Sequence, residues 1–178
     1  PYTDGHSRRV SALGVLLARA LGRPPEEFEK VRVAGLLHDI GKIAIPEVTL
    51  HKAGPLTEEE WAQMRSHPDV GLRILTPIAA LRAVLPAVRC HHERWDGQGY
   101  PLGISGEEIP LGARIIAICD AYDTMVSDRP YRRALGHEEA VARLRAAAGT
   151  QFDSELVKAF TQLPLATSPR AVAPVLAS

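Results

Sequence analysis

Five of the seven histidines, His6, His38, His67, His91 and His92, keep company with acids: Asp39 adjoins His38, and Asp120 and Asp123 are the helical carboxylates best placed to join them. Imidazoles and carboxylates together form a ligand set that suits Fe, Mn, Zn, Co or Ni. Taken singly, each has a bland explanation. A lone histidine on an apolar helix face is more often a satisfied core residue than a ligand, and His-Asp neighbours arise by chance. The argument for a metal lies in their distribution at helix ends or on the inward stripes of different helices. There an unpaired polar group is costly unless something binds it.

Those groups need helices to bring them together. Val10, Leu13, Leu17 and Leu21 recur at three- and four-residue steps, which predicts an amphipathic helix over 4–21 with His6 one turn before Val10. Gly22-Arg23-Pro24 breaks it, and Pro25-Glu26-Glu27 opens a second helix whose stripe is Phe28, Val31, Gly35 and His38. The run 40–46 reads as a turn and connector, leading into a loop through Gly54-Pro55. Thr57 with Glu60 is a capping box for a helix over 58–66. Further helices are expected over 68–75, over 78–94 with a bend or division at Pro86, over 111–126, over 137–148 and after Asp153. Four glycines and a proline make 95–106 an irregular loop. Nothing alternates with period two. The fold class is therefore all-α, a single-domain bundle of about seven or eight helices over 1–162, with 163–178 a flexible tail.

Composition narrows the function. Across 178 residues 21 Lys+Arg balance 21 Asp+Glu, so no basic excess points to duplex nucleic acid or an anionic membrane. No stretch approaches the roughly 18 apolar residues of a membrane-spanning helix. The 46% apolar content suits a packed core. Cys90 and Cys119 make no disulfide framework or CxxC, which fits a cytoplasmic setting, and they read as small buried residues. The opening Pro1 suggests a piece of a longer protein with an N-terminal sensory or receiver domain upstream. His51 and His137 read as solvated, and Trp61 and Leu72 as core packing.

His38-Asp39-Ile40-Gly41-Lys42 resembles the HD signature of the HD phosphohydrolase superfamily. His91-His92-Glu93-Arg94-Trp95-Asp96-Gly97 followed by Gly99-Tyr100-Pro101 resembles the second signature of its HD-GYP branch. Tyr2 to Ser7, His67-Pro68, Asp120 to Asp123, Ser127 to Arg132 and Gly149 to Asp153 match in the same order, so the likeness covers about residues 2–160. It implies an all-helical bacterial phosphodiesterase that opens cyclic di-GMP to linear pGpG, often onward to GMP.

The resemblance makes His6, His38, Asp39 and Asp120 ligands of one divalent ion, with Asp39 bridging to a second held by His67, His91 and His92. Some relatives hold a third ion through a Glu where this chain has Tyr2, so two are expected, iron or manganese first and Zn, Co or Ni as alternatives. Paired cations about 3.5–4 Å apart activate water and withdraw charge from a phosphodiester. Adjacent residues on a regular helix point about 100° apart, so the helix should end or distort near His91-His92. Lys42 would add positive charge at the phosphate, and Arg129 and Arg132 would take the second phosphate. Tyr100 would stack on or hydrogen-bond a guanine, unless it simply pins its loop. Asp123 would orient a ligand histidine. The partners implied are cyclic di-GMP, GGDEF-type domains and a second copy of the chain. Two other readings stay open: a module that binds dinucleotide or partner without cleaving, and an HD phosphohydrolase for another nucleotide.

Overall fold

A computed structural model describes residues 2–128 and 133–165, with side chains from residue 5 onward. Arg129, Arg132 and most of the expected tail lie outside the described residues. The described chain is helical, with one isolated bridge between Ala148 and Phe152. Its helices are α1 (Tyr2–Ala20), α2 (Pro25–Leu37), α3 (Glu47–Leu50), α4 (Glu58–Arg65), α5 (His67–Leu75), α6 (Leu85–Cys90), α7 (Leu111–Val126), α8 (His137–Ala146) and α9 (Ser154–Phe160). Short 3-10 turns cover Ile40–Ala44, Ala79–Leu81 and Gly106–Glu108.

The core forms where the apolar stripes meet. Val10, Leu13 and Leu17 of α1 pack with Val31 and Ala34 of α2 and with Ile115, Ile116 and Cys119 of α7. Leu144, Leu156 and Phe160 close the far side. Burying each large aliphatic side chain is worth roughly 1.5–3 kcal/mol. Ser11 Oγ donates to the Arg32 carbonyl at 2.8 Å, satisfying a buried hydroxyl between α1 and α2. Leu163 and Leu165 also lie against this core, so ordered packing continues past the expected start of the tail at 163.

Three expectations about the elements need correction. The segment 78–94 is divided rather than bent, and less of it is helical than expected: a 3-10 turn at Ala79–Leu81 precedes α6, Pro86 stands in the first turn of α6, where its missing N–H costs nothing, and α6 lasts only six residues. The single turn α3 arises inside the expected loop. Trp61 is 45% exposed rather than core. The capping box on α4 is present as expected, with Thr57 Oγ1 accepting from the Glu60 amide and Glu60 accepting from the Thr57 amide.

Candidate metal centre

One helix pair and three helix ends build the centre. His6 and Arg9 lie three residues apart on α1, facing Asp120 and Asp123 three apart on α7. His6 Nε2 stands 3.2 Å from Asp120 Oδ1, and its Nδ1 meets Asp123 Oδ2 at 2.7 Å. Arg9 grips Asp123 with Nε at 2.6 Å and Nη2 at 3.0 Å, and reaches Ser127 Oγ at 3.2 Å. Asp123 thus orients His6, while Arg9 holds Asp123. The sequence reading did not single out Arg9, although its i+3 spacing from His6 mirrors that of Asp123 from Asp120.

α2 ends at Leu37, and Asp39 takes φ −97°, ψ 5°, a conformation that leaves the helical path. His38 and Asp39 can therefore aim into one space although they are adjacent. α6 likewise stops at Cys90, and the chain turns through His91 and His92 with ring centroids 4.1 Å apart. Helix termination at that pair is the expected solution. His67 opens α5, and Gly41 of the 3-10 turn lies directly against the His67 carbonyl and the Gly71 amide.

Asp39 divides its two oxygens. Oδ2 is 3.5 Å from His38 Nε2, and Oδ1 is 3.4 Å from His67 Nε2. Two groups of donor atoms share it, each with all atoms within 4.8 Å of one another: His6, His38 and Asp39, and Asp39, His67, His91 and His92. Asp120 stands beside His6 but outside that distance grouping.

The donor chemistry of these groups fits a cation. Nδ1 of His38, His67 and His91 each meets a backbone carbonyl three residues earlier, those of Gly35, Met64 and Val88, at 2.7–2.8 Å. A carbonyl only accepts, so each Nδ1 carries a hydrogen, and in its neutral form such a ring turns an Nε2 lone pair inward. Burial holds His67 and His91 below the ordinary imidazole value, and brings His92 down to about 4. His67 Nε2 and His91 Nε2 then face each other at 3.3 Å with Asp39 Oδ1 beside them: three acceptors and no donor. His38 Nε2 and Asp39 Oδ1 are buried without any hydrogen-bond partner. Such a cluster is unfavourable until a positive ion enters it.

Burial opposes the charged form of His6, but its hydrogen bonds to Asp120 and Asp123 outweigh burial and raise it to about 9. Burial would likewise raise the Asp39 carboxyl, yet His38 and Lys42 hold it well below the usual carboxylate range. Asp120, also buried, is held low by His6 and His38. The sign of the pH effect in the metal-free chain follows. Since His6 rises from 6.5 to about 9 on folding, its contribution is complete below pH 6.5 and disappears as pH rises from 6.5 to 9. Its upper bound is about 3 kcal/mol. His92 acts oppositely: its folded value is depressed, so stability falls as pH drops from 6.5 toward 4. Urea midpoints of the metal-free wild type should fall between pH 6.5 and 9, and those of His6→Gln should stay flat there.

Lys42 Nζ lies 2.7 Å from Asp39 Oδ2, so its charge is engaged with the shared carboxylate. The Tyr100 ring is stacked on His92, centroids 4.9 Å apart at 23°, so one face of it supports the histidine. Burial pushes the Tyr100 phenol up to about 12, keeping it neutral. The loop bearing it is tied down by Glu93, a buried side chain that accepts from the amides of Leu102 at 2.6 Å and Gly103 at 3.1 Å. Arg94 pairs with Asp96 instead. The amides of Trp95 and Asp96 donate to the Gln151 and Thr150 carbonyls, which explains the place of the Gly149–Asp153 motif. Glu93→Gln puts an NH2 against these donors and should cost about 1–3 kcal/mol. A lower urea midpoint and faster chymotryptic cleavage after Leu102 would report it.

Outside the cluster, His51 is exposed, as expected. His137 is half-buried rather than solvated, its Nδ1 2.8 Å from the Tyr122 hydroxyl. Cys90 and Cys119 are buried free thiols.

Comparison with known proteins decides the family: the HD domain model matches residues 1–156. The chain belongs to the HD domain family. This HD domain is 43% identical over 162 residues to a cyclic di-GMP phosphodiesterase of Pseudomonas aeruginosa, covering 90% of this chain and 39% of that protein. It is 41% identical over 165 residues to a cyclic di-GMP phosphodiesterase of Thermotoga maritima, covering 90% and 44%. The HD domain thus spans about two-fifths of the length of the curated relatives it matches. Among solved structures, a cyclic GMP-AMP specific phosphodiesterase of Vibrio cholerae superposes with TM-score 0.70 at 19% identity, over 96% of this chain and 48% of that one. That likeness concerns the fold, and the HD domain shares its all-helical architecture. No described helix is long and apolar enough to cross a membrane.

Proposed function

We propose that this HD domain is a metal-dependent phosphodiesterase of the HD-GYP type that hydrolyses cyclic di-GMP to pGpG, and onward to GMP, in bacterial second-messenger signalling. One observation carries the proposal: two clusters of ligand atoms share Asp39, and within them His38 Nε2 and Asp39 Oδ1 are buried with no hydrogen-bond partner. His6, His38, Asp39 and Asp120 would hold one divalent ion, and Asp39, His67, His91 and His92 the other. Imidazole and carboxylate donors suit iron or manganese. When bound, such ions supply Lewis acidity to the phosphodiester and to the attacking water.

The chain's own groups do the positioning. The Gly35, Met64 and Val88 carbonyls lock three imidazoles in the tautomer that presents Nε2 inward. Arg9 fixes Asp123, and Asp123 fixes His6. Lys42 screens the Asp39 carboxylate and places a cation at the edge of the cluster, where a phosphate oxygen can compete for it. Tyr100 packs on His92 and limits its rotation. Arg129 and Arg132 remain proposed contacts for the second phosphate.

The likeness to fragments of longer relatives supports a sensory or receiver domain upstream, and two free buried thiols support a cytoplasmic setting. GGDEF-type domains and a second copy of the chain are the proposed protein partners. Purified protein loaded with Fe or Mn should convert cyclic di-GMP to pGpG, read by chromatography of the products. Binding without product under any divalent metal would assign it instead to a non-catalytic module, and turnover of mononucleotides alone to another HD phosphohydrolase.

A further inference from the structure

Trp61 and Arg65 lie one helical turn apart on α4, on one face of that helix. The Arg65 guanidinium carbon lies 5.6 Å from the Trp61 ring centroid and 6.0 Å from that of Tyr100. Tyr100 is in turn stacked on His92. A row of flat groups therefore runs from the surface to the candidate metal centre: indole, guanidinium, phenol, imidazole. Its outer members are open, since Trp61 is 45% exposed and Arg65 is exposed. Among the described residues Arg65 makes no ion pair with a carboxylate; its contacts are the two rings.

Cation–π attraction to two rings holds the Arg65 guanidinium in place without using its N–H fork on a carboxylate. That fork matches the O6 and N7 acceptors of guanine, whereas adenine places an N6–H2 donor where O6 would be. The exposed indole beside it is a surface on which a purine of either kind can stack. We propose that Arg65 and Trp61 form a guanine subsite, Arg65 reading the base edge and Trp61 supporting its face, while the phosphodiester lies at the His/Asp cluster. The inference rests on the phosphodiesterase reading, and deepens it by naming which residues select the base.

Steady-state hydrolysis of cyclic di-GMP and cyclic di-AMP by the metal-loaded protein tests it. Arg65→Ala should raise KM for cyclic di-GMP about tenfold, with a smaller change in kcat, and should reduce the preference for cyclic di-GMP over cyclic di-AMP by a similar factor. Arg65→Lys keeps the charge without the fork and should leave that preference reduced. Trp61→Ala should raise KM for both substrates alike. An unchanged preference in Arg65→Ala, full recovery of it in Arg65→Lys, or an equal fall in kcat for both substrates would overturn the subsite. Failure of the underlying reading looks different: wild-type protein that cleaves bis(p-nitrophenyl) phosphate but neither cyclic dinucleotide rejects the cyclic di-GMP reading, protein that cleaves none of the three rejects phosphodiester hydrolysis altogether, and either result removes the subsite with it.

Discussion

Asp39→Asn should lower cyclic di-GMP hydrolysis by about 1000-fold or more, the scale on which removal of preorganised charge at a reacting centre is felt. The reason is its shared position: Oδ2 serves the His6–His38 side and Oδ1 the His67–His91–His92 side. Removing one charge therefore weakens both groups together, and metal content by elemental analysis should fall with activity. Metal-free Asp39→Asn also gives up the ion pair with Lys42, so its urea midpoint should lie below that of metal-free wild type. A folded Asp39→Asn protein that keeps its metal content and its activity would make Asp39 a structural residue.

Gly41→Ala should be the most damaging methyl group that can be added near the centre. A Cβ at Gly41 would lie only 2.6 Å from the Gly71 amide nitrogen and would collide with the His67 carbonyl oxygen. Both obstacles are backbone, so no rotamer change relieves them. The 3-10 turn must move away from α5, which separates Asp39 from His67. Overpacking usually costs 1–3 kcal/mol and here should reach or exceed about 3 kcal/mol. Metal content should fall as well. Gly71→Ala is the matched control: its added carbon would approach nothing closer than 3.4 Å, and it sits within helix α5. It should change stability by no more than about 1 kcal/mol. Urea midpoints of the pair check this, and similar midpoints would show that the α5 contact is looser than its geometry.

Where local chemistry alone decides, the sequence was sufficient. The Thr57–Glu60 box starts α4, Asp153 accepts from the Glu155 amide at the start of α9, and α7 runs over 111–126 as its apolar period requires. The cluster was also legible, because ligand chemistry limits residue type and the HD-GYP signatures supplied the order. Other features depend on what meets across space. Four residues of α3 are too few to show a period. Pro86 could bend a long helix or start a short one, and only the packing of α6 against α5 and α7 makes the second true. Arg9, whose partner Asp123 is 114 residues away, could not be assigned from spacing. Tyr100 could face a base or a histidine, and its loop, held by Glu93, turns it onto His92. Exposed Trp61 belongs to the same class: α4 is polar around most of its circumference and buries no residue.

The most direct measurement is anomalous diffraction from crystals of the iron- or manganese-loaded protein at the metal's absorption edge. Two anomalous peaks should appear, one contacted by His6 and His38, the other by His67, His91 and His92, with one Asp39 oxygen on each. A single peak that leaves Asp39 uncoordinated, or no peak among these side chains in protein that still hydrolyses cyclic di-GMP, would contradict the shared metal centre.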